Sequence, residues 1–297
     1  MLGTKPTRRA TATKWRRSGR VVLTLGLALF LSTASERAAK ADSLGIGSDD
    51  DWEFVAASYA WFTALHGKAT VSGQEAPVNA SFGDIFSETN IAFMGQFEVR
   101  KGRVGVFVNP VYVGLDSTNA VGASGGRGQS TQQPEASVSS QLFTTDIGLS
   151  YRVMDVIMDG GRAAGGSRAV VEPYLAARVW NLSSQVEIPL SRRTLGGSDS
   201  KTWADAVFGL RTRWDFGEHW NVTALADVGG GPVGASSITA QGMLLAGYRF
   251  EIFEGGDAKV TAGYRALYDN YTTGSGQDQF SYNATLHGPV LGLSLRF

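Results

Sequence analysis

The sequence contains no cysteine, and this absence excludes disulfide bonds, thiolate metal sites and cysteine nucleophiles. Proline is scarce, with 8 residues against 38 glycines, and the 43% hydrophobic content argues against collagen-like or disordered chains. The formal net charge is zero. That balance hides an asymmetry, because residues 1–41 hold nine of the 27 basic residues and one of the 27 acidic ones. The remaining chain therefore carries about eight excess negative charges, which disfavours a nucleic-acid partner.

The first 41 residues have the pattern of a secretory signal peptide. Basic residues between positions 14 and 20 precede an apolar run at 21–31, which is about half the length that a membrane-spanning helix needs. Small residues at 39 and 41 then satisfy the −3 and −1 positions of a cleavage site. We predict ordinary export and a mature chain that starts at Asp42. Cleavage after Ala34 and a retained membrane or core helix are the alternatives.

The rest of the chain alternates between apolar and polar residues at period two, in about ten segments. No segment shows a convincing helical period, so helices are largely excluded. The clearest segment runs over 203–216, where apolar residues such as Phe208 alternate with charged ones such as Arg211. A tight Gly217-Glu218 connection joins it to a second alternating segment at 220–228, and this arrangement predicts a β-hairpin.

Alternating strands fit either a soluble sandwich, with apolar residues inside, or a membrane barrel, with apolar residues outside. The connections favour the barrel because longer and shorter ones alternate along the chain. The long ones include 69–88, 117–139 and 187–200, and the tight ones include 101–102 and 217–218. Outer-membrane barrels have short periplasmic turns and long extracellular loops. We predict an all-β fold, a transmembrane antiparallel up-and-down β-barrel of ten strands, with eight strands as the alternative and both termini in the periplasm.

The predicted organisation comprises a signal peptide (1–41), a short periplasmic segment (42–51) and the barrel (52–297). Two prolines, Pro110 and Pro173, lie within predicted strands. Proline cannot donate to a strand ladder, so we expect bulges or local irregularity at both positions.

The end of the chain carries a resemblance to known proteins. Leucines at 291, 293 and 295 alternate with small or polar residues, and the chain ends at Phe297. This ending resembles Gram-negative outer-membrane β-barrels whose last strand ends in Phe and is read by the barrel-assembly machinery. Further segments are similar to a porin-like group of small proteobacterial outer-membrane barrels; they lie at 227–230, 247–250, 263–265 and 287–292. The resemblance implies an outer-membrane location, contact with outer-membrane lipid and lipopolysaccharide, and assembly through the strand ending at Phe297. It carries over no catalytic residues.

The polar face of the predicted strands carries acidic and basic residues in nearly equal numbers. In a narrow barrel these charges should pair, and Arg suits such pairs because its planar fork matches a carboxylate. The alternative is that unpaired arginines line a small anion-preferring pore. The candidate lumen-lining residues are Glu98, Arg100, Asp146, Arg152, Glu172, Arg178, Asp205, Arg211, Arg213, Asp227, Arg249, Arg265 and Asp269.

A glycine-rich run at 229–234 matches the dinucleotide-binding spacing G-x-G-x-x-G. The context is wrong, because the segment that follows alternates as a strand instead of forming a helix, and Pro232 has no N–H to offer a phosphate. We interpret this run as an extracellular loop and predict no nucleotide partner.

Of the three histidines, only His66 lies where a rim-active enzyme would need a base, close to the outer end of the first strand. Ser72, Asp84 and Asp116 are its candidate partners. A solvated rim histidine is the alternative interpretation. None of the histidines has a metal-binding spacing, so neither a metal nor a cofactor is predicted.

Together these features predict a non-enzymatic outer-membrane protein, either an envelope structural component or a narrow passive pore for small solutes. Two alternatives stay open. One is a rim-active enzyme that acts on lipopolysaccharide. The other is a surface-binding or adhesion barrel that works through the outer segments 69–88 and 117–139.

Overall fold

The computed structural model describes residues 52–71, 73–120, 135–158, 167–190, 193–232, 234–253 and 256–296. The predicted signal peptide and periplasmic segment lie outside this part of the chain. The middle of the predicted 117–139 loop lies outside it as well.

Ten antiparallel strands form a closed barrel. In order around the wall they are β1 (Trp52–Trp61), β4 (Thr89–Lys101), β5 (Val104–Ala120), β6 (Glu135–Tyr151), β8 (Ser167–Leu190), β9 (Arg193–Phe216), β10 (Trp220–Gly230), β11 (Ile238–Phe253), β12 (Gly256–Thr273) and β13 (Phe280–Arg296). The barrel closes because β1 pairs with β4 on one side and with β13 on the other. The predicted ten-stranded antiparallel barrel is confirmed, and the eight-strand alternative is wrong.

Shorter elements are attached to this wall: β2 (Ala64–Val71), β3 (Gln74–Ala80), helix α1 (Phe82–Glu88) and β7 (Met154–Met158). β2 pairs with β13 and β3 pairs with β2, while β7 pairs with the start of β8. The prediction of a long loop at 69–88 was therefore wrong. Gly73, with φ 73°, allows a tight turn between β2 and β3, and a capping box formed by Ser81 and Asp84 starts α1.

The two ends of the barrel differ. At one end, here called the base, tight turns at Gly102 (φ 55°) and Gly217 (φ 62°) join neighbouring strands. At the opposite end, here called the rim, β8 and β9 extend as a pair of 24-residue strands. The predicted loop at 187–200 was wrong, because pairing continues to Leu190 and resumes at Arg193.

The irregularity predicted at the two prolines takes the form of gaps in strand pairing. Pro110 pairs with Thr145 of β6, whereas the pairing between β4 and β5 skips Pro110 and keeps its register. Pro173 pairs with Leu210 of β9, and it lies between the residues of β8 that pair with β6 and those that pair with β7. In both places the missing N–H falls where no ladder bond is needed.

The two faces of the wall have opposite character. Large apolar side chains cover the outside, among them Leu175, Phe208 and Leu244, which are 65%, 59% and 57% exposed. The inside holds buried charges towards the base and buried aromatic side chains towards the rim. Apolar residues facing outward are the pattern of barrels that sit in lipid. Within the part of the chain that the structure covers, no helix is long and apolar enough to cross a membrane.

Candidate functional site

The interior nearest the base holds two arginines and two glutamates in one cluster. Arg211 Nη1 lies 2.8 Å from Glu98 Oε2, and its Nη2 lies 2.8 Å from Glu172 Oε2. Arg100 Nη2 contacts the same two carboxylates, at 2.6 Å from Glu98 and 2.7 Å from Glu172. Each carboxylate therefore faces two guanidinium groups, and the charges within the cluster cancel. This arrangement stabilises ion pairs that are buried away from water.

Three further predicted residues lie between this cluster and the base. Arg152 Nε is 3.3 Å from Glu172 Oε1, so it extends the cluster towards the turns. Arg249 and Arg213 share Asp215, at 3.3 Å and 3.5 Å respectively. Asp215 has the same strand parity as Arg211 and Arg213, which is the pattern expected of a residue on the polar face of β9.

A second cluster crosses the interior closer to the rim and is centred on Arg178. Its guanidinium group binds Asp146 through two hydrogen bonds, of 2.7 and 3.1 Å, and its Nη2 lies 2.9 Å from Asp227 Oδ2. The Tyr174 hydroxyl donates to the same Asp227 oxygen at 2.6 Å. Arg178 is fully buried, so its charge is balanced by these two carboxylates rather than by water.

Neutral groups connect this cluster to Arg265 on the opposite wall. Gln241 donates through Nε2 to Asp227 and accepts from Arg265 Nε, at 2.9 and 2.7 Å. Arg265 also donates to the Tyr59 hydroxyl at 2.9 Å and lies over the Trp61 ring, 4.6 Å from its centroid. A continuous network of hydrogen bonds thus runs across the interior from β6 to β1.

Two buried carboxylates, Asp205 and Asp269, are joined by a serine from the glycine-rich loop. Ser236 donates its backbone N–H to Asp205 at 2.6 Å, and its hydroxyl lies 3.0 Å from an oxygen of each carboxylate. The predicted extracellular loop therefore folds into the barrel mouth. Sequence reasoning missed Ser236, because its position inside the barrel depends on the backbone path of the loop, where Gly230 and Gly234 have positive φ values.

An aromatic layer lies on the rim side of these charges. Trp203 stacks between Tyr271, at 4.2 Å, and Trp180, at 5.7 Å between ring centroids. Tyr282 packs against both tryptophans. Trp180 is fully buried and Trp203 is 3% exposed. Both tryptophans share strand parity with charged residues, which is the signal that could have identified them.

These layers place the candidate lumen residues in the interior, and each except Arg213 has a polar partner on another strand or loop; the partner of Arg213 is Asp215 on its own strand. Such a constellation can hold strands together and can obstruct the lumen. Among the described side chains, no group of three or more His, Asp or Glu residues could hold a metal ion.

His66 has different neighbours from those considered in the sequence. Its Nδ1 lies 3.1 Å from His287 Nε2, and His287 Nδ1 lies 2.6 Å from the Tyr264 hydroxyl. Asp84 instead caps α1, and Asp116 accepts hydrogen bonds from Asn90 and Ser139. Ser72 lies outside the described residues. The structure therefore does not bring His66 together with either aspartate.

No family model and no curated protein match the chain. Solved structures that align with it include the outer membrane protease OmpT from Escherichia coli, with a TM-score of 0.38 at 8% identity over 83% of this chain and 96% of that one. Neisserial surface protein A (NspA) aligns with a TM-score of 0.28 at 13% identity, over 83% and 98%. A FadL homologue of Pseudomonas aeruginosa aligns with 0.29 at 12% identity, over 83% and 90%. TM-scores this low do not support an inference about function. The barrel is therefore defined by its own strand pairing.

Proposed function

We propose that the chain is a non-enzymatic protein of the bacterial outer membrane whose barrel is closed to ions. It would then serve as an envelope component rather than as a passive pore. The observation that carries this proposal is the network that runs from the Arg178 cluster through Gln241 to Arg265 and thus crosses the interior. The aromatic layer of Trp180, Trp203, Tyr271 and Tyr282 lies directly beyond it.

The outer surface supports the membrane location. Apolar side chains face outward along the wall, as a barrel in lipid requires. Exposed aromatic residues gather at the base end of this belt, including Trp52, Phe216, Trp220 and Tyr248. Aromatic residues at that height are typical of the girdles that mark the membrane interface.

The pairing of the interior charges supports a closed lumen. An ion that passed through the barrel would have to separate Arg178 from Asp227, two side chains with no exposed surface. Breaking a buried pair leaves uncompensated charge and costs about 3–5 kcal/mol. The passing ion would then meet stacked aromatic rings, which cannot replace its hydration shell with oxygen ligands.

The same pairing supports a non-enzymatic role. A general acid or base needs a proton position that a substrate can reach. The buried carboxylates at Glu98, Glu172, Asp146 and Asp227 instead face guanidinium groups within the barrel. Their ion pairs with these arginines join different strands of the barrel.

Conductance of the mature chain (42–297) in a planar lipid bilayer tests the proposal. We expect no discrete current steps. We also expect no current steps from the Arg211→Ala variant, because the Arg178 cluster and the aromatic layer remain. Discrete steps in the unmodified protein that change with Arg211→Ala would contradict a closed barrel and would favour the narrow pore.

The absence of current steps is informative only if the protein is inserted in the bilayer. Since the chain has no cysteine, Asn79→Cys on the exposed β3 provides a single label site. Labelling by a membrane-impermeant maleimide from one side shows that the barrel is inserted and oriented. A triple variant, Trp180→Ala with Trp203→Ala and Arg178→Ala, removes both stacked indoles and the central arginine and should raise ion leakage.

A further inference from the structure

The barrel wall has a gap between β1 and β4. Pairing of these strands runs from Trp52 with Lys101 to Ser58 with Gly95 and stops there. Nearer the rim, residues 89–94 of β4 pair only with β5 on their other side, whereas β2 pairs with β13 and β3. On the rim side of Ser58 the two strands are therefore unpaired, although the Trp61 backbone N–H of β1 donates to the Met94 sulfur of β4 at 3.2 Å.

A cavity of about 1210 Å³ lies at this gap, and its lining is mostly apolar. It is lined by Tyr59 and Trp61, whose side chains face the interior, and by Val260 and Leu291, whose side chains face outward. Because inward-facing and outward-facing side chains both line it, the cavity connects the interior to the outer face of the wall. It exceeds the roughly 300–1,000 Å³ of ordinary small-molecule sites.

Helix α1 covers the gap from outside. Phe82 and Phe86 line the cavity and are 38% and 43% exposed, and the Phe82 ring packs edge-on against Phe62 at 5.2 Å. Their apolar rings face the side where lipid chains would lie. The helix therefore continues the lipid-facing surface of the barrel across the gap.

The rim end of the cavity has a polar mouth. It is formed by five serines and by Lys201, whose ammonium group pairs with Asp199 at 3.3 Å; the serines are Ser140, Ser183, Ser184, Ser198 and Ser200. Deeper in the cavity, the buried Trp61 Nε1 has no hydrogen-bond partner among the described residues. The cavity thus combines a long apolar body with donor groups, above all at its outer end.

We propose that this cavity binds a single-chain amphiphile that enters sideways from the outer leaflet through the gap between β1 and β4. The acyl chain would lie against Tyr59, Trp61, Met94 and Phe93, and the headgroup would meet the serines and Lys201. Continuity with the lipid-facing wall favours an occupant that is already dissolved in the membrane. The inference rests on the proposed membrane location, but it does not depend on whether the lumen conducts.

Photolabelling with a diazirine-bearing palmitic acid tests this inference. The mature chain is placed in phosphatidylcholine nanodiscs, irradiated with the probe, and its adducts are mapped by mass spectrometry. We expect adducts within 59–63 and 82–94 that excess palmitic acid or lysophosphatidylcholine removes. Phosphatidylcholine is present in large excess in every sample. Adducts that form in its presence therefore show that this diacyl lipid does not displace the probe.

A matched pair of variants locates the entry. Ala60 lines the cavity, whereas Ala56 has the same orientation on the paired part of β1. Ala60→Trp should lower labelling about tenfold or more, as expected when a pocket loses space for its ligand. Ala56→Trp should not change it. If Ala60→Trp fails to fold, Ala92→Trp fills the cavity from β4.

Two results would overturn the proposal. One is labelling spread evenly along the outward face, at residues such as Leu175 and Phe208, without competition, which is the behaviour of ordinary surrounding lipid. The other is unchanged labelling in a folded Ala60→Trp variant. Neither result bears on bilayer conductance, so failure of this inference is distinguishable from failure of the closed-barrel proposal.

Discussion

Arg178 and Asp227 form an ion pair in which Nη2 and Oδ2 lie 2.9 Å apart, and neither side chain has exposed surface. The two residues are 49 positions apart in the chain and stand on β8 and β10, which are not neighbouring strands. The pair therefore joins strands that backbone hydrogen bonds do not connect. It resists changes in the cross-section of the barrel, which strand pairing alone would permit.

Replacing Arg178 should destabilise the barrel strongly. Arg178→Leu leaves Asp146 and Asp227 buried without their cation, and breaking a buried pair in this way costs about 3–5 kcal/mol. The measurement is the free energy of unfolding in urea, with the barrel refolded into lipid vesicles. The control is Lys68→Ala, which removes an exposed pair with Glu75 and should cost at most about 1 kcal/mol. Equal losses in both variants would contradict the role assigned to Arg178.

The inward orientation of the charges could be predicted from the sequence, because strand side chains alternate and Asp205, Arg211, Arg213 and Asp215 share one parity. The partners with which these charges pair could not be predicted from the sequence. Arg211 and Glu98 are 113 positions apart in the chain. Their contact depends on the stagger of the ten strands around the barrel. A single sequence does not contain the stagger.

Two features were missed for different reasons. The aromatic layer was missed because Trp180 and Trp203 occupy inward-facing positions that hold charged residues elsewhere on the same strands, and a search for charged residues passes over them. The sequence pattern predicts a loop at 69–88 because the two strands and the helix there are too short to show a clear period. The capping box at Ser81 and Asp84 was the local signal that a helix starts there.

Close packing of Tyr174 against Gly209 provides a second stability test. These residues pair across β8 and β9, and a Cβ atom at Gly209 would overlap the Tyr174 ring. Gly209→Ala should therefore displace the hydroxyl that donates to Asp227 and cost about 1–3 kcal/mol. The matched control is Gly242→Ala, where an added Cβ meets nothing within 4 Å and stability should stay unchanged or rise slightly. Urea unfolding of both variants decides the comparison.

The start of α1 should depend on pH. Hydrogen bonds from the Ser81 hydroxyl and backbone N–H lower the pKa of the Asp84 carboxyl. Because the folded pKa lies below the unfolded one, the cap stabilises α1 above the ordinary aspartate pKa of about 4 and is lost as the pH falls through the lowered value. A spin label at Ser87→Cys should become more mobile in that acidic range.

The variant Ser81→Ala separates this effect from general acid unfolding. It should make the Ser87→Cys label mobile at neutral pH and remove most of the acid-induced change, because the hydroxyl that binds Asp84 is gone. Acid-induced mobility of the same size with and without Ser81 would show that the cap is not responsible.

His66 provides a test that distinguishes an envelope component from an enzyme that modifies lipopolysaccharide. His66 contacts His287, and that histidine in turn contacts the Tyr264 hydroxyl, so the imidazole is not paired with Asp84 or Asp116 as a catalytic base would require. We therefore expect host cells that produce the unmodified protein, or the His66→Ala variant, to have the same lipid A composition as cells without it. Mass spectrometry of extracted lipid A makes the comparison, with His219→Ala at the base as the matched variant. A new lipid A species that depends on His66 but not on His219 would contradict the non-enzymatic proposal, because it would show that the imidazole acts on a substrate.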